Sequence, residues 1–239
     1  PGTYYLVSEG YNANGSITVT IEGQVAGGRG TASSERNYII TRTPLVETTT
    51  ASELTPENCL HTIQYFDGLG RPTQLVQQGI TPSGKDLVSL VEYDAIGREA
   101  RSWLPVASTG SNGTWTDPSL IKQWAAGLYG GDTHPFSMPG YEASPLNRVL
   151  QQFGPGQDWA DKPLRTDFMA NTSSGLLSCN LYRVNEQGLS CNGTYQSGQL
   201  FVTRGMDEEG NTTYTFTDKL DQMVLVRQML DGTPLDTYY

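Results

Sequence analysis

Apolar and polar residues alternate with a period of two through most of the chain, in runs too short for anything but strands. Such runs occupy residues 38–43, 60–66, 72–78, 87–93 and 99–104, and each reads as a β-strand. Within 16–22, Ile17, Val19 and Ile21 share one face while Thr18, Thr20 and Glu22 share the other. Asn14-Gly15 joins that run to 3–9 as a hairpin. One stretch changes period. Over 118–127, with Asp117 as N-cap and Pro118 at the first helical position, Leu120, Ile121, Trp124 and Leu128 recur at helical spacing, and Gly130-Gly131 stops the helix. Residues 47–58 read as an exposed loop and the Gly/Pro-rich 130–163 as a long irregular connection, with strands returning from Leu176 to the end.

The strand runs are punctuated by a recurring unit. Tyr65-Phe66-Asp67-Gly68-Leu69-Gly70-Arg71 is echoed by Glu92-Tyr93-Asp94-Ala95-Ile96-Gly97-Arg98. In both, an aromatic residue precedes Asp, two residues, Gly and Arg. An Asp side chain can accept the backbone N–H two residues on, and a Gly three positions after it supplies the positive φ that closes a type I turn with a bulge. The expected structural turn residues are therefore Asp67, Gly70, Arg71, Asp94, Gly97 and Arg98, with Asp207 and Gly210 in a weaker copy. Asp218 opens a copy without Gly or Arg, and Tyr141-Glu142 through Arg148 resembles the unit with two residues inserted. Repetition of this kind points to stacked hairpins sharing one core.

The aromatic-Asp-x-x-Gly-Arg unit, together with Asn37-Tyr38-Ile39, Thr41-Arg42-Thr43 and Ser144-Pro145-Leu146-Asn147-Arg148, resembles the YD-repeat region of bacterial Rhs-type (rearrangement hotspot) proteins and the segment preceding it. The resemblance covers roughly residues 37–239. It implies a mainly β fold in which antiparallel hairpins form part of a spiralling β-sheet shell, with one short helix and long irregular loops. It also implies a secreted or cell-surface protein of a polymorphic-toxin or surface-interaction system. On this reading residues 1–23 are the last hairpin of an upstream β-sandwich domain, since Pro1-Gly2-Thr3-Tyr4-Tyr5 resembles the closing strands of one. Residues 24–36 are a linker, and 37–239 are a repeat domain cut at its C-terminal end. The strands of 212–230 are then expected to keep an open edge and to self-associate.

Composition narrows the chemistry. A net charge of −10 argues against a nucleic-acid partner, and no apolar run approaches the length of a bilayer-spanning helix. The three cysteines cannot all pair; Cys179 and Cys191 flank the turn-like Asn185–Gly188, and both a hairpin-spanning disulfide and free thiols fit the spacing. His61 and His134 are the only histidines, one in a strand pattern and one in a loop, so no catalytic residues, cofactor or metal ligands are expected. Asp207-Glu208-Glu209-Gly210-Asn211 lacks the alternating ligands of a calcium loop. Trp103 and Trp124 fall in core patterns; Trp115 and Trp159, in loops, are the candidates for stacking on a ligand such as a sugar ring. The leading expectation is a non-catalytic structural segment whose main partner is the rest of its own chain. A glycan- or protein-binding module is second and a carboxylate-based hydrolase third.

Overall fold

The computed structural model describes residues 19–20, 32–48, 53–109 and 112–239. The hairpin expected over 3–9 and 16–22 lies outside them except for one two-residue strand, as does the linker before Ala32. The described residues are mainly β and antiparallel, with one α-helix. They fall into two compact units, one reaching Met138 and including Pro155–Gln157, the other comprising Pro139–Gly154 and Asp158–Tyr239.

The first unit contains β1 (Val19–Thr20), β2 (Asn37–Pro44), β3 (Cys59–Phe66), β4 (Pro72–Gln77), β5 (Leu87–Tyr93), β6 (Glu99–Trp103), β7 (Val106–Ala107), α1 (Pro118–Leu128) and the first half of β8 (Phe136–Tyr141). These strands pair in chain order as an open meander, with β7 added to β5. Pairing slips by a residue between Tyr65 and Phe66, and again between Glu92 and Tyr93, where each strand runs into an Asp turn. Such a bulge sharpens the local twist. Because strand side chains alternate, Ile63 and Tyr65 of β3, Val76 of β4 and Val88 and Leu90 of β5 form one buried face. Ile121 and Ala125 of α1 pack on it. Each large apolar side chain so buried contributes about 1.5–3 kcal/mol.

The helix starts where its cap predicts, the Asp117 carboxylate accepting the Ser119 N–H. Its buried stripe keeps the predicted Ile121 and Trp124, but Leu120 and Leu128 are exposed and Ala125 is buried in their stead. One residue is about 100° of helix rotation, so Leu120 sits on the flank of the Ile121–Ala125 line.

The second unit contains the rest of β8, then β9 (Val149–Phe153), β10 (Leu164–Ala170), β11 (Asn180–Asn185), β12 (Gly188–Thr194), β13 (Phe201–Met206), β14 (Thr212–Thr217), β15 (Met223–Leu230) and β16 (Thr233–Tyr238). Its strand order is β8-β9-β10-β13-β14-β15-β16, with β11-β12 a separate hairpin inserted between β10 and β13. Cys179, Leu200, Val202, Tyr214, Phe216 and Leu225 form the core.

Two expectations are corrected here. The stretch 130–163 is not wholly irregular: it holds β8 and β9, and β10 begins before Leu176. Pro139 and Gly140 hide β8 from a pattern search, since both are depleted in strands. β8 tolerates them because its pairing with β6 uses Phe136 and Ser137, ahead of the proline. Gly140 meets the Gln151 side chain so closely that a Cβ would lie 3.0 Å from it. The second correction concerns 212–230, which is not an open edge. The Asp231-Gly232 turn, with φ of 48° and 79°, folds β16 back along β15, and Leu225 and Arg227 face inward.

Candidate functional site

Among the described residues the recurring Asp turns and a cleft in the first unit gather the polar side chains of most interest. In the first turn Asp67 Oδ1 accepts the N–H groups of Leu69 and Arg71, both at 2.9 Å, and the Gly70 N–H donates to the Asp67 carbonyl. Gly70 has φ 78°. The Arg71 guanidinium folds back onto Asp67 Oδ2 at 2.7 Å. Asp94, Gly97 (φ 89°) and Arg98 repeat every one of these bonds. Hydrogen bonding from the Arg71 amide holds Asp67 below the usual carboxylate range, and the Arg98 side chain does the same for Asp94. Consecutive turns also touch. The Arg71 guanidinium lies 4.4 Å from the Tyr93 ring centroid, and a Cβ on Gly97 would fall 2.8 Å from Arg71 Nη1.

The weaker copies keep the geometry and change the residues. Asp207 Oδ1 takes the amides of Glu209 and Asn211, the Asn211 carboxamide replaces the guanidinium on Oδ2, and Gly210 has φ 89°. Asp218 Oδ1 likewise takes the backbone amides of Leu220 and Gln222, and Asp221 adopts φ 58° in the glycine position. The stretch ending at Arg148 divides the work. Ser144 Oγ accepts the Leu146 N–H, Asn147 supplies the positive φ of 54°, and Glu142, two residues upstream, binds the Arg148 guanidinium. Arg148 and Ser144 hold the Glu142 carboxyl down to about 2. One turn of this geometry escaped the sequence reading: Thr81-Pro82-Ser83-Gly84-Lys85, in which Thr81 Oγ1 accepts the Lys85 N–H and Gly84 has φ 70°. Its signal is the same spacing with a hydroxyl in place of the carboxylate.

The cleft, about 290 Å³, lies between the start of β5 and the segment that leads into α1. Its apolar lining is Val88, Leu120, Trp115 and Trp124, and Ser108, Thr109, Thr114 and Thr116 bring hydroxyl side chains to it. The wall at 113–116 is not a strand, yet the backbone groups of Gly113 and Thr116 and the Trp115 N–H are all engaged. The Gln74 carboxamide makes two bonds to Thr116, accepting its N–H and donating to its carbonyl at 2.8 Å each. Tyr65 donates to the Gly113 carbonyl at 2.6 Å, and Ser33 Oγ accepts the Trp115 N–H. Buried Asp86 accepts the amides of Gly79 and Gly113 on its two oxygens. Gly113 has φ 66°, and a Cβ there would overlap the Gln78 amide and the Ile63 methyl group. None of these bonds was legible in the sequence, since Gln74 and Asp86 stand in ordinary strand and loop patterns.

The remaining predicted residues stand apart. Trp115 is half-buried, with the Arg36 guanidinium 3.9 Å over its ring. Trp159 is more exposed, lies in the second unit and has the Lys162 ammonium 5.7 Å from its ring. Trp103 is half-buried and donates its indole N–H to Glu92. His61 lies in β3, and His134 bonds to Thr133 and Gln157. No disulfide joins the cysteines: Cys191 faces Tyr182 across the hairpin, while Cys179 lies outside that ladder and is buried, which pushes its thiol up to about 11. Among the described residues no cluster could hold a metal ion, and no helix is long and apolar enough to cross a membrane.

Residues 40–172 match the model of a family described as a domain of unknown function (DUF6443). No curated protein and no solved structure matches the chain.

Proposed function

The chain belongs to the DUF6443 family, and from that premise we propose that it is a non-catalytic structural segment of a repeat-built β shell of the Rhs-like YD type. The shell is secreted or displayed on a bacterial surface, where it serves a polymorphic-toxin or surface-interaction system. The observation that carries this reading is the contact between successive turns. Arg71 closes its own turn on Asp67 and then lies over Tyr93 and Gly97 of the next, so one residue serves both the hairpin and the stacking. A device of that form has a use wherever hairpins succeed one another, which is the requirement of a wall built by repetition. The carboxylates support the same reading. Asp67, Asp94, Asp207 and Asp218 accept backbone amides of their own turns, and Asp86 has both oxygens on amides. A general acid or base needs a free oxygen within reach of substrate.

Negative-stain electron microscopy of the natural protein tests this, combined with turnover assays on peptide, ester and glycoside substrates. The expected result is a hollow β-shell and no turnover. A solid particle, or a rate abolished by replacing a single carboxylate without loss of folding, would refute the proposal.

A further inference from the structure

Beyond the scaffold, which makes no use of the cleft in the first unit, we infer that this cleft is a binding site for an uncharged saccharide, seated between the two tryptophans and the threonine-bearing segment. At about 290 Å³ it is at the small end of ligand sites. Its lining is mixed in the way a sugar ring requires. A pyranose offers flat C–H faces and a belt of hydroxyls, each of which both donates and accepts. Trp115, Trp124 and Leu120 supply apolar surface for the former, and the hydroxyls of Thr109, Thr114 and Thr116 suit the latter.

Charge narrows the class. No Lys or Arg lines the cleft, whereas Asp86 and Asp117 do, so a phosphate or carboxylate ligand would meet like charge; the one cation near it, Arg36, is stacked on the Trp115 ring. A cationic ligand finds little more. Asp86 spends its oxygens on the amides of Gly79 and Gly113, and Asp117 Oδ1 is held by Ser119. Asp117 Oδ2 is left to accept from a hydroxyl. The site is also preformed, because Tyr65 and Asp86 hold the backbone at Gly113 and Gln74 holds it at Thr116. A ligand entering it has little loop ordering to offset.

The test is a titration of the intact, isotope-labelled chain with maltotriose, cellotriose or tri-N-acetylchitotriose, reading the indole N–H signals of Trp115 and Trp124 by NMR. At least one sugar should shift both signals saturably at millimolar concentration. Leu120→Arg, at a half-exposed helical position on the cleft wall, should weaken that response about tenfold, equivalent to about 1.4 kcal/mol, with an unchanged melting temperature. Thr114→Arg, at an exposed loop position, is the second blocking variant should the first fold poorly. The inference is overturned if none of the three sugars shifts the indoles, or if the shifts survive both blocking variants. It is equally overturned if trigalacturonate or a glucosamine oligomer binds more tightly than every neutral sugar.

Discussion

Arg71 and Asn211 hold the same place in two turns, one with a guanidinium on its Asp and one with a carboxamide. The turn therefore does not depend on the charge. What it does depend on is an oxygen at the first position and a residue that accepts positive φ at the fourth, a part taken by Gly70, Gly97 and Gly210 but also by Asn147 and Asp221. The exposed ion pair adds at most about 1 kcal/mol; the second role of Arg71, against the neighbouring turn, is the one that separates the two kinds of turn. A double-mutant cycle can measure it. Gly70→Ala and Gly97→Ala each place a Cβ at positive φ, costing about 1–2 kcal/mol. Gly70 has open space around its missing Cβ, whereas Gly97 has Arg71 Nη1 there. Urea denaturation should show Gly97→Ala to be the costlier change, with the excess vanishing in an Arg71→Ala background. Equal costs in both backgrounds would mean that the two turns do not support each other.

At the scale of elements, the hairpin β15–β16 holds more than its own ladder. Arg227 reaches from β15 to Asp236 on β16 with two bonds of 2.7 and 2.6 Å, then donates to the carbonyls of Leu176 and Ser178. The loop before Cys179 is thus tied to the sheet by one buried guanidinium. Arg204 and Asp167 make a cross-strand pair of similar geometry on β13 and β10, but in a half-exposed setting. Environment, not geometry, separates their contributions. Arg227 is buried while Asp236 reaches solvent, so the loss falls mainly on the carbonyls of Leu176 and Ser178, and Arg227→Ala should cost about 1.5–3 kcal/mol. Arg204→Ala should cost no more than about 1 kcal/mol. Chemical denaturation of the two variants compares them directly, and similar losses would show that the Arg227 clasp is solvated in solution.

For the whole molecule the turn chemistry sets an acid limit. The carboxyls of Asp67, Asp94, Asp117, Asp132 and Asp207 are held below their ordinary range by hydrogen bonds from neighbouring side chains and backbone amides, and Glu142 is brought to about 2. A carboxyl depressed in the folded state binds a proton more readily when unfolded. Its stabilisation is therefore complete above the unfolded range near pH 4 and drains away as pH falls through the folded value. The urea midpoint should be level from about pH 7 to 5 and then fall continuously toward about pH 2, with Glu142→Gln flattening the lowest part of that curve. A midpoint unchanged down to about pH 2 would mean that these carboxyls titrate alike in both states.

The sequence by itself determined the parts made by near neighbours. Strand period, the cap of the helix and the Asp-x-x-Gly turns depend on residues a few positions apart, and each was legible before any fold was known. The Thr81 turn and the β8 strand were obscured only because a hydroxyl and a Pro-Gly pair stood where a carboxylate and an alternating run were sought. The tertiary structure decided the rest. Tyr65 meets Gly113 from 48 residues away, Gln74 meets Thr116 from 42, and Arg227 meets Leu176 from 51. Those bonds fix the cleft and the clasp. Which face of α1 is buried was settled in the same way, by the β-sheet side chains that meet Ile121 and Ala125. A periodic pattern can mark an apolar stripe to within a residue or so, but the burial of any one position depends on what the distant chain brings against it.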